Sequence, residues 1–123
     1  MDKLTNKEEE IMRVLWNLKQ AFVKEVVEEL PDPKPHYNTV STTVRNLEDK
    51  GYISHKAFGK THQYFPLVSK EDYRKNFMQK TIHQYFESSY KNVVSFFARE
   101  EKISVEELKE IIENLENKKN QNS

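Results

Sequence analysis

Apolar residues recur along most of this chain at helical spacing, interrupted once by a short stretch that reads as paired strands. Residues 4–18 place Leu4, Ile11, Met12, Leu15 and Trp16 on one stripe, and Thr5 with Glu8 three positions later forms a capping box. Together they predict a first helix with Trp16 as a core anchor. After a link through Lys19 and Gln20, Val23, Val26, Val27 and Leu30 repeat at i, i+3, i+4 and i+7 and predict a second helix. Pro31, Pro33 and Pro35 forbid helix and force an extended turn. From His36 a third helix carries Val40, Val44 and Leu47 on a narrow buried stripe, and Gly51 closes it. Tyr52 to Ala57 and Thr61 to Phe65 then predict two short strands around a turn at Phe58-Gly59-Lys60.

Beyond the hairpin the helical period returns. Ser69 is an N-cap with Asp72 at N3, opening a helix near Lys70 to Phe86 whose Tyr73, Phe77, Met78, Ile82, Tyr85 and Phe86 make a wide stripe. A second piece, Ser89 to Arg99, carries Tyr90, Val93, Val94, Phe96 and Phe97. Ser104 with Glu107 is another capping box, and Ile103 with Leu108 is its hydrophobic staple. The last helix buries Leu108, Ile111, Ile112 and Leu115, and Asn117 to Ser123 reads as a frayed polar tail.

The fold class this predicts is mainly α with a small β-hairpin. A winged helix-turn-helix domain spans residues 1–68 and a helical dimerisation region spans 69–123. A winged helix closes its own core, so three further helices with wide apolar faces need another surface. A second copy of the segment would supply it, giving a two-fold homodimer through Tyr73, Phe77, Ile82, Phe86, Val94, Phe97, Leu108, Ile111, Ile112 and Leu115. The alternative is that these helices fold back on the wing domain as an intramolecular cap.

The third helix carries the chemistry. At about 100° per residue its outer face collects Asn38, Thr42, Arg45 and Asp49, flanked by Thr39, Ser41 and Asn46. Short hydroxyl and amide side chains are mediocre helix formers, so propensity does not select them there. They do hydrogen-bond to base edges and phosphates in a major groove, where Arg is the commonest reader of guanine. Taken alone, such a face is also what any solvated helix presents. The hairpin with Lys56 and Lys60 near its tip shifts the balance: a polar helix followed by a basic wing implies sequence-specific binding of double-stranded DNA. The rival is a winged helix used as a protein-interaction module.

Charge fits a specific binder with few phosphate contacts. The chain holds 20 basic and 20 acidic residues, which excludes a bulk polyanion binder. Residues 36–64 carry four basic groups (Arg45, Lys50, Lys56, Lys60) against Glu48 and Asp49, whereas residues 1–35 hold six basic against eight acidic. A shallow salt dependence per subunit follows. No apolar run approaches the roughly 18 residues of a membrane span, and no leader is visible, which predicts a cytoplasmic protein without membrane insertion. With no Cys there is no disulfide, thiolate metal site or thiol nucleophile.

Two Gly in the whole chain leave no phosphate-cradling loop, and no nucleophile and base stand at recognisable spacing, so no enzyme activity and no cofactor are expected. The runs Glu8 to Glu10 and Glu106 to Glu110 read as solvated helix faces. A four-residue loop from Ala57 to Lys60 would set His55 and His62 opposite each other across the hairpin. Two ligands do not make a tight site, so no metal is assigned. A protonated pair could instead strengthen phosphate contact below about pH 6.5.

Several segments resemble a known family. Tyr37-Asn38-Thr39-Val40, Leu47-Glu48-Asp49-Lys50-Gly51-Tyr52-Ile53, Tyr64-Phe65-Pro66-Leu67-Val68-Ser69-Lys70-Glu71 and the stretch Glu9 to Trp16 are similar to the penicillinase and methicillin-resistance repressors, the BlaI, MecI and CopY group. The resemblance implies a dimeric winged-helix repressor that reads DNA with Thr39, Thr42, Thr43, Arg45 and Asn46; many members have Arg where Asn46 stands. It also implies relief of repression by proteolysis within an Asn-Phe-Ala stretch, under indirect control of a membrane sensor protease. The matching stretch here is Phe96-Phe97-Ala98, with Phe96 in place of Asn, and the cut would fall at Phe96 and Phe97. The Cys-x-Cys hook of copper-responsive members has no counterpart.

Overall fold

A computed structural model describes residues 2–121, in the order α1 (Asn6–Leu18), β1 (Ala21–Phe22), α2 (Val23–Glu29), α3 (Tyr37–Asp49), β2 (Ile53–Phe58), β3 (Thr61–Pro66), α4 (Lys70–Phe86), α5 (Tyr90–Arg99) and α6 (Val105–Gln121). The chain divides into two compact units, Met1–Phe77 and Met78–Ser123.

The first unit is built as its apolar period dictates. Leu4, Ile11, Met12 and Leu15 of the N-terminal stripe, Val23, Val26 and Leu30 near α2, and Val40, Val44 and Leu47 of α3 are all buried and converge with Tyr52, Ile53 and Tyr64 in one core. The predicted capping box starts α1: Glu8 N–H donates to Thr5 Oγ1 at 3.1 Å, and Thr5 N–H donates to Glu8 Oε1 at 2.8 Å. Lys34 donates its ammonium to the carbonyls of Glu28 and Leu30, satisfying the end of α2. The close of α3 is a Schellman motif: Gly51 N–H reaches Glu48 O at 2.9 Å and Tyr52 N–H reaches Leu47 O at 3.0 Å. Gly51 sits at φ 82, a left-handed conformation that glycine adopts without steric cost. Leu47 and Tyr52 meet in the core, so the motif also aims the chain into the wing.

The sheet has three strands in the order β1-β3-β2, all antiparallel. Only the hairpin was legible in the sequence; β1 is two residues, too short to show alternation, and pairs Ala21 with Tyr64 and Phe22 with Gln63. The hairpin turns through two residues, Gly59 and Lys60, because Phe58 pairs with Thr61, so Phe58 ends a strand instead of entering the turn. Gly59 at φ 63 takes the position where a tight hairpin demands a left-handed residue. His55 therefore pairs with Tyr64 and His62 with Ala57, which corrects the expected direct opposition of the two histidines. They are diagonal neighbours on one face, and their rings stack at 4.0 Å.

Trp16 is half-buried and donates its indole N–H to Val68 O at 2.9 Å, pinning the segment that leaves the wing. Tyr73 from the start of α4 lays its ring against Trp16 and Tyr52, at 5.5 and 6.0 Å, and donates its hydroxyl to Glu9 at 3.1 Å. Tyr73 is thus occupied inside the first unit. The Glu9 hydrogen bond and the Glu8 burial described below correct the expectation that Glu8 to Glu10 form a solvated face.

In the second unit, Ser89 caps α5 through Asn92 N–H at 3.2 Å. The Ser104–Glu107 box opens α6, with both reciprocal bonds near 3.1 to 3.2 Å. Phe96 packs its ring edge-on against Phe86 and Phe97. Ile82, at 8% exposed, is the one buried hydrophobic residue of this unit among the described residues. α6 continues to Gln121, so the expected frayed tail is helical from Asn117 through Gln121, while Asn122 and Ser123 lie outside the described residues. No helix of the described residues is long and apolar enough to cross a membrane.

Candidate nucleic-acid interface

The outer face of α3 stands clear of the core. Asn38, Thr39, Thr42, Arg45, Asn46 and Asp49 are exposed, Ser41 and Thr43 are half-buried, and Val40, Val44 and Leu47 are sealed beneath them. The threonines are held in one orientation. Thr42 Oγ1 donates to Asn38 O at 2.9 Å, and Thr43 Oγ1 donates to Thr39 O at 3.0 Å. With the hydroxyl proton committed to the helix backbone, each of these threonine oxygens is left as an acceptor beside the side-chain methyl. That combination accepts from an adenine or cytosine amine and packs on a thymine methyl. Arg45 Nε lies 3.4 Å from Ser41 O, which leaves both terminal guanidinium nitrogens for a bidentate contact. His36 provides no side-chain cap, so the first amides of α3 remain open.

Lys56 and Lys60 are exposed near the wing tip, and neither meets a carboxylate among the described residues. Lys56 lies 5.7 Å from the ring centre of Phe58. His55 Nδ1 stands 2.6 Å from Glu48 Oε2 and so joins α3 to the wing, while His62 stacks on its face. Stacked rings do not converge their nitrogens on a shared ion, and one nitrogen of His55 already faces Glu48. Among the described residues no group of three metal-ligating side chains comes together.

Lys50 corrects the predicted basic footprint. Its ammonium lies 2.7 Å from Glu8 Oε1 and also reaches Lys3 O, so its charge is spent inside the unit. Glu8 is only 3% exposed. Burial pushes its carboxyl up, but the hydrogen bonds from Lys50 and Thr5 and the Lys50 charge outweigh this and hold it below the usual carboxylate value.

Two residues beside the interface escaped the sequence reading. Tyr37 continues the Val40-Val44-Leu47 stripe by spacing yet is 54% exposed, because the buried part of the stripe begins at Val40, three residues into α3. Phe58 is 47% exposed at the wing, touching Phe22 edge-on at 5.8 Å. Aromatic character alone would have assigned both to the core.

Three helices, a short β1 and a basic-tipped hairpin behind a polar third helix define a winged helix-turn-helix protein. The solved structure of the DNA-binding domain of the repressor BlaI is similar, with 28% identity and a TM-score of 0.51, covering 59% of this chain and 94% of that chain. The model of the penicillinase repressor family matches residues 4–117, and the chain belongs to that family, whose members are transcriptional repressors and not enzymes. The methicillin resistance regulatory protein MecI of Staphylococcus aureus is 28% identical over 118 residues, 95% of each chain. The penicillinase repressor of Bacillus licheniformis is 26% identical over 123 residues, covering 96% of this chain and 93% of its own.

Proposed function

We propose that this chain represses transcription as a homodimer bound to a pseudo-palindromic DNA operator. The observation that carries the reading is the outer face of α3, where oriented threonines, Asn38, Arg45 and Asn46 stand exposed beside a wing with unpaired lysines. Each subunit lays α3 in a major groove and Lys56 and Lys60 along the neighbouring backbone. Residues 1–68 form the DNA-binding domain and 69–123 the dimerisation region.

The dimer is supported by what α5 and α6 leave uncovered. Val94, Phe97, Ile111, Ile112 and Leu115 are between 40% and 62% exposed, a continuous demand for a partner that a solvated helix face would not create. Joining two readers at fixed separation makes the second half-site an intramolecular target, so weakening the dimer releases DNA without touching a base contact. Cleavage at Phe96 and Phe97, under a sensor protease, would do this. Both lie within α5, so a protease requires local opening of that helix to reach an extended strand.

Fluorescence-anisotropy titration on its own promoter DNA and on scrambled DNA, at two salt concentrations, tests the reading. The expected result is tight, sequence-dependent binding at two subunits per site. Equal, weak and salt-labile binding to both DNAs would contradict it and favour a protein partner for the aromatic helices.

A further inference from the structure

Between the start of α2, the first residue of α3 and the return strand β3 lies an open cleft of about 370 Å³. Phe22 and Val23 form its apolar floor, while Lys24, Tyr37, Thr61 and His62 supply a polar rim from three separate elements. Glu25, the acid at the cleft, is turned toward its own helix, where its carboxylate accepts the Phe22 N–H at 2.9 Å. Lys24 has no carboxylate within ion-pair distance among the described residues, and the exposed Tyr37 hydroxyl makes no hydrogen bond there. Thr61 Oγ1 donates to Phe58 O at 2.8 Å, so it closes the rim without offering its proton. Among the described residues the cleft thus presents one free cation, one free phenol donor and an imidazole, with the carboxylate of Glu25 held to the Phe22 amide beside them, around a space open to solvent.

We propose that this cleft seats one phosphate of the DNA backbone at each half-site, contacted by Lys24 and Tyr37, with His62 completing the rim. The proposal rests on the reading of α3 as the groove-entering helix. A helix with its side chains is about 10–12 Å across. The major groove is about 12 Å wide. The strand bordering the groove must therefore pass the elements that flank α3. Tyr37 immediately precedes Asn38, so the cleft lies at the groove edge when Asn38 and Thr42 face base edges. The contact carries no sequence information; it fixes how far along and how deep α3 sits.

The test uses the full chain and two exposed-residue variants, Lys24→Ala and Tyr37→Phe, titrated over a range of salt on promoter and scrambled DNA. Lys24→Ala lowers the slope of log affinity against log salt by about 0.9 for each bound subunit, equally on both DNAs, because phosphate carries no sequence. Tyr37→Phe keeps the wild-type slope and weakens binding by roughly ten- to a hundredfold per half-site, the loss of one hydrogen bond to a charged group. Thermal melts matching wild type exclude misfolding as the cause. A slope unchanged in Lys24→Ala overturns the proposal, whatever Tyr37→Phe does. Arg45→Ala separates the two levels: discrimination lost there while Lys24→Ala keeps its slope leaves the groove reading standing and removes the cleft. A wild type that does not discriminate removes the operator reading, while the slope change still reports on the cleft.

Discussion

Glu8 offers the most direct test of how the first unit is held. It is a carboxylate whose side chain is 4% exposed, bonded to a Lys50 side chain that is 28% exposed. Removing one partner of a fully buried pair costs about 3–5 kcal/mol, because the other charge is left without compensation. Water still reaches Lys50, so Glu8→Gln should cost less, about 2 kcal/mol. Glutamine keeps an oxygen for the Thr5 N–H, so that variant isolates the charge. Glu8→Ala also loses the capping box and should cost about 1 kcal/mol more. Urea unfolding followed by the fluorescence of Trp16, the only tryptophan, reads this unit. At about 1–3 kcal/mol per molar urea, the Glu8→Gln midpoint should drop by about 1 M. The pH dependence has a definite sign. Glu8 is held below its ordinary value of 4.5, so its stabilisation is present above that pH and is lost as pH falls through the lower folded value. Wild type and Glu8→Gln should differ at neutral pH and converge in acid below 4.5. A Glu8→Gln variant within about 0.5 kcal/mol of wild type at neutral pH, the scatter of surface substitutions, would refute the argument.

Other outcomes follow from the same geometry. Tyr73 is pushed up to about 12 by burial and by its hydrogen bond to Glu9, so it should ionise well after exposed tyrosines in an alkaline absorbance titration; stability it contributes is lost as pH rises from 10 through that value. Gly51→Ala should destabilise by about 1–2 kcal/mol in thermal melts; nothing lies within 4 Å of an added Cβ, so the whole cost is the left-handed backbone. Arg45→Ala should cost about 1–3 kcal/mol of operator binding in anisotropy titrations and relax discrimination, with no change in stability. Ile112→Glu with Leu115→Glu should convert the proposed dimer to monomer in sedimentation while helix content by circular dichroism is kept; an unchanged sedimentation coefficient would contradict an interface on α6.

Where the sequence was readable, a local rule and the core agreed. The Thr5–Glu8 and Ser104–Glu107 boxes are three-residue signals that act within their own helix, and both form as spaced. The Val40-Val44-Leu47 stripe fixed which face of α3 is buried, and therefore which residues stand outside. What escaped needed a partner distant in the chain. Glu8 reads as one more acid in an acidic run until Lys50, 42 residues away, is folded against it. The same contact takes Lys50 out of the basic surface. β1 exists because Tyr64 and Gln63 are there to pair with it, not because two residues can declare a strand. The histidine pair turned on the length of the loop: moving both Ala57 and Phe58 from loop to strand shifts the partner of His55 from His62 to Tyr64, which makes the two histidines diagonal and still lets their rings meet.

In the proposed repressor, two copies of α3 enter successive major grooves of one operator. Hydroxyl-radical footprinting of the full chain on its own promoter, combined with guanine-methylation interference, tests it most directly. Two protected patches related by a two-fold axis are expected, centred about 10 bp or a multiple apart, with interference from major-groove guanines in both. A single unpaired patch, or protection indifferent to guanine methylation, would contradict it.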